Sequence, residues 1–299
     1  MKKILIIAVT LLTLSCSKED KIVETTNYFT PIEVDGQVIK IAQENITGNE
    51  KCNTLHANMS FKQGDENLML NFSFLKTGEL INVRLDRMEN GIGFFTYLTP
   101  SFNPDTTIKI KNFGFNSDTK QLTFEFEGNL LYEQENSKLL HLKGNFATYS
   151  LKNETCTVPN NNIYYTSDSF KFNTKSWNFY HTTSEESSYK FWSTYGTTLE
   201  IKLEKKLEDL PLGKIPVGKL PSANQLILKK YVGPMIATQQ PTTSESDFMT
   251  YTVVGTIDIQ EKITLGTDKY TKGTIDLDAI YDGKIMFQVR DMNFQIKDF

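Results

Sequence analysis

The sequence predicts an all-β protein built as two tandem antiparallel β-sandwich-like domains. Three observations carry this reading. Apolar and polar residues alternate with period two in run after run, the mark of half-buried antiparallel strands. Turn dipeptides separate the runs, with Asp35-Gly36 and Asp282-Gly283 the strongest, because both central residues of a type I′ hairpin turn need positive φ. No long stretch repeats its apolar residues at helical spacing.

The runs follow in order. Leu68, Leu70, Phe72 and Phe74 point one way, with Met69, Asn71 and Ser73 the other. Leu122, Phe124 and Phe126 alternate with Thr123, Glu125 and Glu127, and Leu140, Leu142 and Phe146 oppose His141, Lys143 and Asn145. Later, Leu199, Ile201 and Leu203 share a face, as do Tyr251, Val253, Ile257 and Ile259, and Ile275, Leu277 and Ala279. Weaker turn signals stand at Lys62-Gln63-Gly64-Asp65 and Asn116-Ser117-Asp118. Near the end the phase slips from odd (Ile285, Phe287, Val289) to even (Met292, Phe294, Ile296). A bulge near Arg290-Asp291 would restore the inward face. Leu203, Leu207 and Leu210 fit either a short helix or a strand end, which Pro211 stops. Many short strands of this kind make a sandwich or a barrel.

The polar stretch from Cys156 through Pro159 to Asn162 is the best boundary. It divides a first β domain at 28–158 from a second at 163–299. Leu142-Lys143-Gly144-Asn145-Phe146 is echoed late in the second half by Thr271-Lys272-Gly273-Thr274-Ile275.

The first twenty residues carry an address. Lys2 and Lys3 precede an apolar run at 4–14 broken only by Thr10 and Thr13, and Ser15 and Cys16 follow. The run is shorter than the roughly 20 residues a spanning helix needs and has the size of a signal-peptide core. The segment resembles a bacterial lipoprotein signal peptide, although Thr13 stands where Leu is commoner. Lys18-Glu19-Asp20 resembles the lipoprotein export signal of the Bacteroidota. The resemblance implies a signal peptide at 1–15, acylation of Cys16, a lipidated tether at 16–27, and display on the outer face of the outer membrane. More than one acyl chain is needed for a stable anchor, each buried CH₂ contributing about 0.8 kcal/mol. The alternative is an ordinary secretory signal with Cys16 as a stray thiol. The body loosely resembles the small β-domains of Bacteroidota lipoproteins, which implies a fold and no activity.

Composition narrows the partners. The formal charge is −4, and loss of Lys2 and Lys3 with the leader makes the chain more acidic. Such a chain has no electrostatic footprint for nucleic acid. Cys52 and Cys156 are the cysteines left after Cys16, a natural pair in an oxidising compartment. Closing a loop of ~100 residues contributes about 4.7 kcal/mol by chain entropy. Two separately buried thiols are the alternative.

No catalytic constellation is legible. His56, His141 and His181 lie in no recognisable hydrolase context, and no Gly-x-Ser-x-Gly elbow exists. Asp258, Asp276, Asp278 and Asp282 make an acidic cluster that reads first as a solvated sheet face. Asp276, Asp278 and Asp282 are weak calcium candidates, since calcium takes 6–8 oxygens and this spacing is not an EF-hand loop. Trp177 and Trp192 lie close together among Phe179, Tyr180, Tyr189, Phe191 and Tyr195. Aromatic faces stack on sugar rings, and Tyr and Trp add a polar handle, so Trp177, Trp192 and Tyr195 are the ligand candidates. The bland reading places the cluster in the core. Tyr189, Phe191 and Tyr195 would share one strand face, with Trp192 on the other.

The expectation is a non-catalytic surface lipoprotein that binds or adheres, with capture of a polysaccharide as its specific form and another surface protein as a further partner. No cofactor is expected. The alternatives are a carboxylate-dependent glycoside hydrolase and a structural subunit of a surface complex.

Overall fold

The structure, a computed structural model, describes residues 29–89, 92–133, 135–155, 161–181, 186–218, 223–238 and 243–298. The leader, Cys16, the tether up to residue 28, and Cys156 lie outside them. Within them the elements are strands joined by turns and short 3-10 segments, so the chain is all-β. Among the described residues no helix is long and apolar enough to cross a membrane.

The first sheet holds β1 (Phe29–Val34), β2 (Gln37–Ala42), β3 (Ile46–Lys51), β4 (Thr54–Gln63), β5 (Glu66–Leu75), β6 (Leu80–Glu89), β7 (Ile92–Leu98), β8 (Ile108–Asn116), β9 (Gln121–Tyr132), β10 (Glu135–Thr148) and β11 (Lys152–Glu154). Its order is β11-β3-β4-β5-β6-β7-β9-β10-β1-β2, with β8 paired to β9. Neighbours run antiparallel except β11, which lies parallel to β3.

The second sheet holds β12 (Asn162–Thr166), β13 (Lys171–His181), β14 (Ser187–Ser193), β15 (Thr197–Leu203), β16 (Gly213–Val217), β17 (Gln225–Tyr231), β18 (Phe248–Leu265), β19 (Asp268–Tyr281) and β20 (Lys284–Lys297). Here β18 pairs with β17 at its start and with β19 along its length. That second pairing closes eight strands into a barrel, with β16 outside the ring on β18. Closure removes the free edges that an open sheet must otherwise protect.

The alternating runs face inward as their periodicity requires. Phe72, Phe74, Phe124, Phe126 and Phe146 fill the core of the first sheet, their rings stacked or edge-on against one another. Phe172, Tyr189, Phe191, Leu199, Ile201, Ile275 and Leu277 fill the barrel. An eight-stranded barrel is just wide enough for side chains to occupy it, so its interior is packed. Leu207 and Leu210 are buried against this core from a 3-10 turn at Leu207–Asp209.

The turns take the geometry their residues allow. Asp35 and Gly36 have φ of 51° and 81°, and Asp282 and Gly283 have 49° and 73°, the paired positive values of a type I′ hairpin. The phase slip in β20 is a bulge: Ile275 faces Met292 and Leu277 faces Val289, so Arg290 and Asp291 oppose Asp276 alone. Asp291 sits at φ 57°, and its N–H donates to the Asp276 carboxylate at 2.8 Å.

The sequence echo has a physical cause. Gly144 pairs across the sheet with Phe126 and Gly273 with Phe294. A Cβ at Gly144 would stand 3.0 Å from the Phe126 ring, and one at Gly273 2.9 Å from the Phe294 ring. In each sheet a glycine leaves room for the opposing ring to lie over its backbone.

Candidate binding cleft between the two sheets

The two sheets meet through the loop after β7 and the β5–β6 turn of the first and one end of the barrel. Asn103 donates its N–H to the Thr194 carbonyl and Ser101 to that of Ile236, each at 2.8 Å. The Phe102 ring packs 4.3 Å from that of Tyr231, centroid to centroid. Glu79, in the turn between β5 and β6, accepts hydrogen bonds from Tyr195 Oη at 2.7 Å and from Asn173 Nδ2. Burial and the Glu79 carboxylate both raise the Tyr195 pKa, so the phenol stays a donor. Tyr195 is a ligand candidate by sequence; the structure puts its hydroxyl to work holding the two sheets together.

A cleft of about 620 Å³ opens at this junction, within the usual range for ligand sites. Asn53, Thr54 and Leu75 wall it from the first sheet, and Lys175, Trp177 and Gln295 from the barrel. Trp177 stands opposite Phe191 across β13 and β14. It packs partly buried against the barrel core and also lines the cleft. Amide side chains dominate the polar lining, with Asn161 and Asn162 joining Asn53 and Gln295. Cys52 lines the cleft, while its expected partner Cys156 lies outside the described residues.

Lys175 owes its place to a break in the strand. The register between β13 and β14 shifts between Thr174 and Ser176, so Lys175 is the extra residue of a bulge. Its Nζ donates to the carbonyl of buried Ser101 at 2.9 Å. Burial pushes its pKa down to about 8, because a charged amine loses hydration there. Lys175 is half-buried and Asn161 buried; Asn161 Oδ1 accepts the Lys297 N–H at 2.6 Å, and its Nδ2 has no hydrogen-bond partner.

The remaining candidates do not gather at this cleft. Trp192 is partly buried on the opposite face of β14 from Phe191, with Lys190 Nζ 4.9 Å from its ring centroid. The aromatic cluster is therefore divided: Tyr189 and Phe191 are core, Trp177 reaches a cleft, and Trp192 is half-covered outside. Asp276 and Asp278 alternate with the inward-facing Ile275, Leu277 and Ala279, which sets them on the outward face of the barrel. Asp278 binds Arg290 at 2.6 Å, which holds its carboxyl below the ordinary value. Asp282 forms the adjoining hairpin turn. Among the described residues no group of three His, Cys, Asp or Glu side chains is placed to hold a metal ion, so the calcium candidates are not brought together. Asp258, Asp276 and Asp278 line neither this cleft nor the smaller surface grooves.

His56 lies between Ser73 Oγ at 3.1 Å and Thr54 Oγ1 at 3.3 Å, and burial lowers its pKa. His141 bonds Asn129 at 3.1 Å. The His181 side chain lies outside those described.

Sequence reasoning missed Lys175, Asn161 and Glu79. For Lys175 a signal existed: the apolar positions of β13 pass from Phe172 to Trp177 and Phe179, a change of phase that requires a bulge between them. No protein-family model, no curated protein and no solved structure matches this chain.

Proposed function

We propose that the chain is a non-catalytic lipoprotein of the cell surface that captures a saccharide in the cleft between its two sheets. One observation carries this reading. Trp177 lines the cleft beside four side-chain amides, Asn53, Asn161, Asn162 and Gln295. An aromatic face with amide donors and acceptors around it matches the alternating apolar faces and hydroxyl rims of sugar rings. Trp192 is a weaker candidate, because Lys190 already occupies a place over its ring.

On this reading Cys16 is the acylated residue, and 16–27 tether the β-domains to the outer membrane. Cys52 and Cys156 form the disulfide. Its support is the parallel register of β11 on β3, which pairs Glu154, two residues before Cys156 in sequence, with Lys51, the residue before Cys52. Peptide mapping of the mature chain without reduction is expected to find acyl groups on Cys16 and a 52–156 crosslink. Free thiols at both positions would remove the crosslink, and an intact leader would remove the anchor.

The hydrolase alternative gains nothing from Asp258, Asp276 and Asp278, none of which reaches the cleft. A polysaccharide array probed with the folded chain tests the binding reading. Trp177→Ala is expected to weaken the selected interaction at least ten-fold when measured at a temperature where its circular dichroism is that of the folded parent, and to lower the melting temperature because the indole also packs on the barrel core, whereas Trp192→Ala leaves binding near the parent value. Binding that survives Trp177→Ala would move the site elsewhere.

A further inference from the structure

The cleft's polar lining is unbalanced. Among the described residues that line it, Lys175 is the one charged side chain, and no carboxylate stands there. The ammonium donates to one neutral acceptor, the Ser101 carbonyl, and carries three protons. Asn161 is 3% exposed, and its Nδ2 donor is unpaired. Half-burying a cation against a single carbonyl, and burying a donor against nothing, costs free energy, and an anionic acceptor at the cleft would recover the cation's share. Among the described residues the buried carboxylates are matched. Glu50 takes both Lys76 at 2.5 Å and Lys120 at 2.7 Å, and Asp86 takes Arg84 at 2.6 Å. Lys175 differs from these, and it lies at a cleft.

We propose that the cleft selects an acidic saccharide, whose anionic group is bound by Lys175 while a neighbouring ring lies on Trp177. This rests on the binding reading above and deepens it by naming the ligand class. The chemistry required is a sugar bearing a negative group, either a carboxylate, as in a uronic acid, or a sulfate ester. A charged hydrogen bond is roughly twice as strong as a neutral one, so the charge should dominate selection among sugars of equal size.

The experiment titrates the folded chain, by calorimetry, with oligogalacturonate, with its methyl ester, and with a sulfated galactan oligosaccharide that carries no carboxylate. At least one acidic probe is expected to bind ten-fold or more tightly than the methyl ester. In Lys175→Gln that ratio is expected to fall to about one. Lys175→Arg, which keeps the charge, is expected to retain part of the preference and guards against a folding defect in the first variant. The more tightly bound acidic probe identifies carboxylate or sulfate as the group recognised. Equal binding of acid and ester, with Trp177→Ala abolishing both, would overturn the acidic preference and leave the saccharide reading standing. An acidic preference that persists in Lys175→Gln would also overturn the proposal. No binding of any probe, together with an empty polysaccharide array, would remove both.

Discussion

The surroundings of Lys175 suit a charged amine poorly. Its amine is held near 8 against an ordinary 10.5, so the folded chain binds the proton less tightly than the unfolded chain does. Below about pH 8 both forms are protonated, and the whole burial penalty is present. Between 8 and 10.5 the folded chain releases its proton first, and stability rises with pH; above 10.5 the penalty is gone. Lys175→Met is therefore expected to be more stable than the parent at pH 7, by about 1–2 kcal/mol once the part of the side chain still in contact with water is allowed for. The difference should shrink toward pH 10. Denaturant unfolding at several pH values measures it, and parallel stability curves for the two proteins would contradict it. A residue kept at such a cost fits a site that supplies a counter-charge only when occupied.

At the scale of the element, much is legible in the sequence because period-two patterning is a local signal. Leu68 to Phe74, Leu122 to Phe126 and Ile275 to Ala279 lie in strands with their apolar residues buried. The bulge in β20 is legible for the same reason, since an inserted residue is what shifts the inward face from odd to even within one strand. Asp291 holds that bulge at positive φ, where a β-branched residue is strained. Asp291→Val is expected to lose about 1–2 kcal/mol, and Asp291→Gly to stay within about 0.5 kcal/mol of the parent. Thermal or denaturant melts decide between them, and an unaffected Asp291→Val would show that the turn relaxes freely. Lys175 sits in a second bulge whose phase change, from Phe172 to Trp177, is equally present in the sequence but is masked there by the surrounding aromatic residues. The role of Tyr195 is not legible, because its partner Glu79 lies far away in sequence and nothing local marks the pair.

The whole molecule is legible as all-β, but not as to how each sheet ends. Barrel closure depends on β18 being long enough to meet β17 and β19 together, a matter of pairing that no alternation pattern encodes. The cleft is likewise a property of the assembly: Asn53 and Thr54 come from one sheet, Trp177 and Gln295 from the other. Its geometry depends on the Glu79, Ser101 and Asn103 contacts that fix the two sheets together. The candidate site can therefore be read from sequence only in part, as a tryptophan without its surroundings. The chain has two tryptophans, which makes the site directly observable. In Trp192→Phe the remaining indole emission comes from Trp177. Titration with the polysaccharide selected by the array should shift or quench that emission saturably, with a midpoint matching the calorimetric affinity. An emission unchanged at saturating ligand would contradict binding in the cleft.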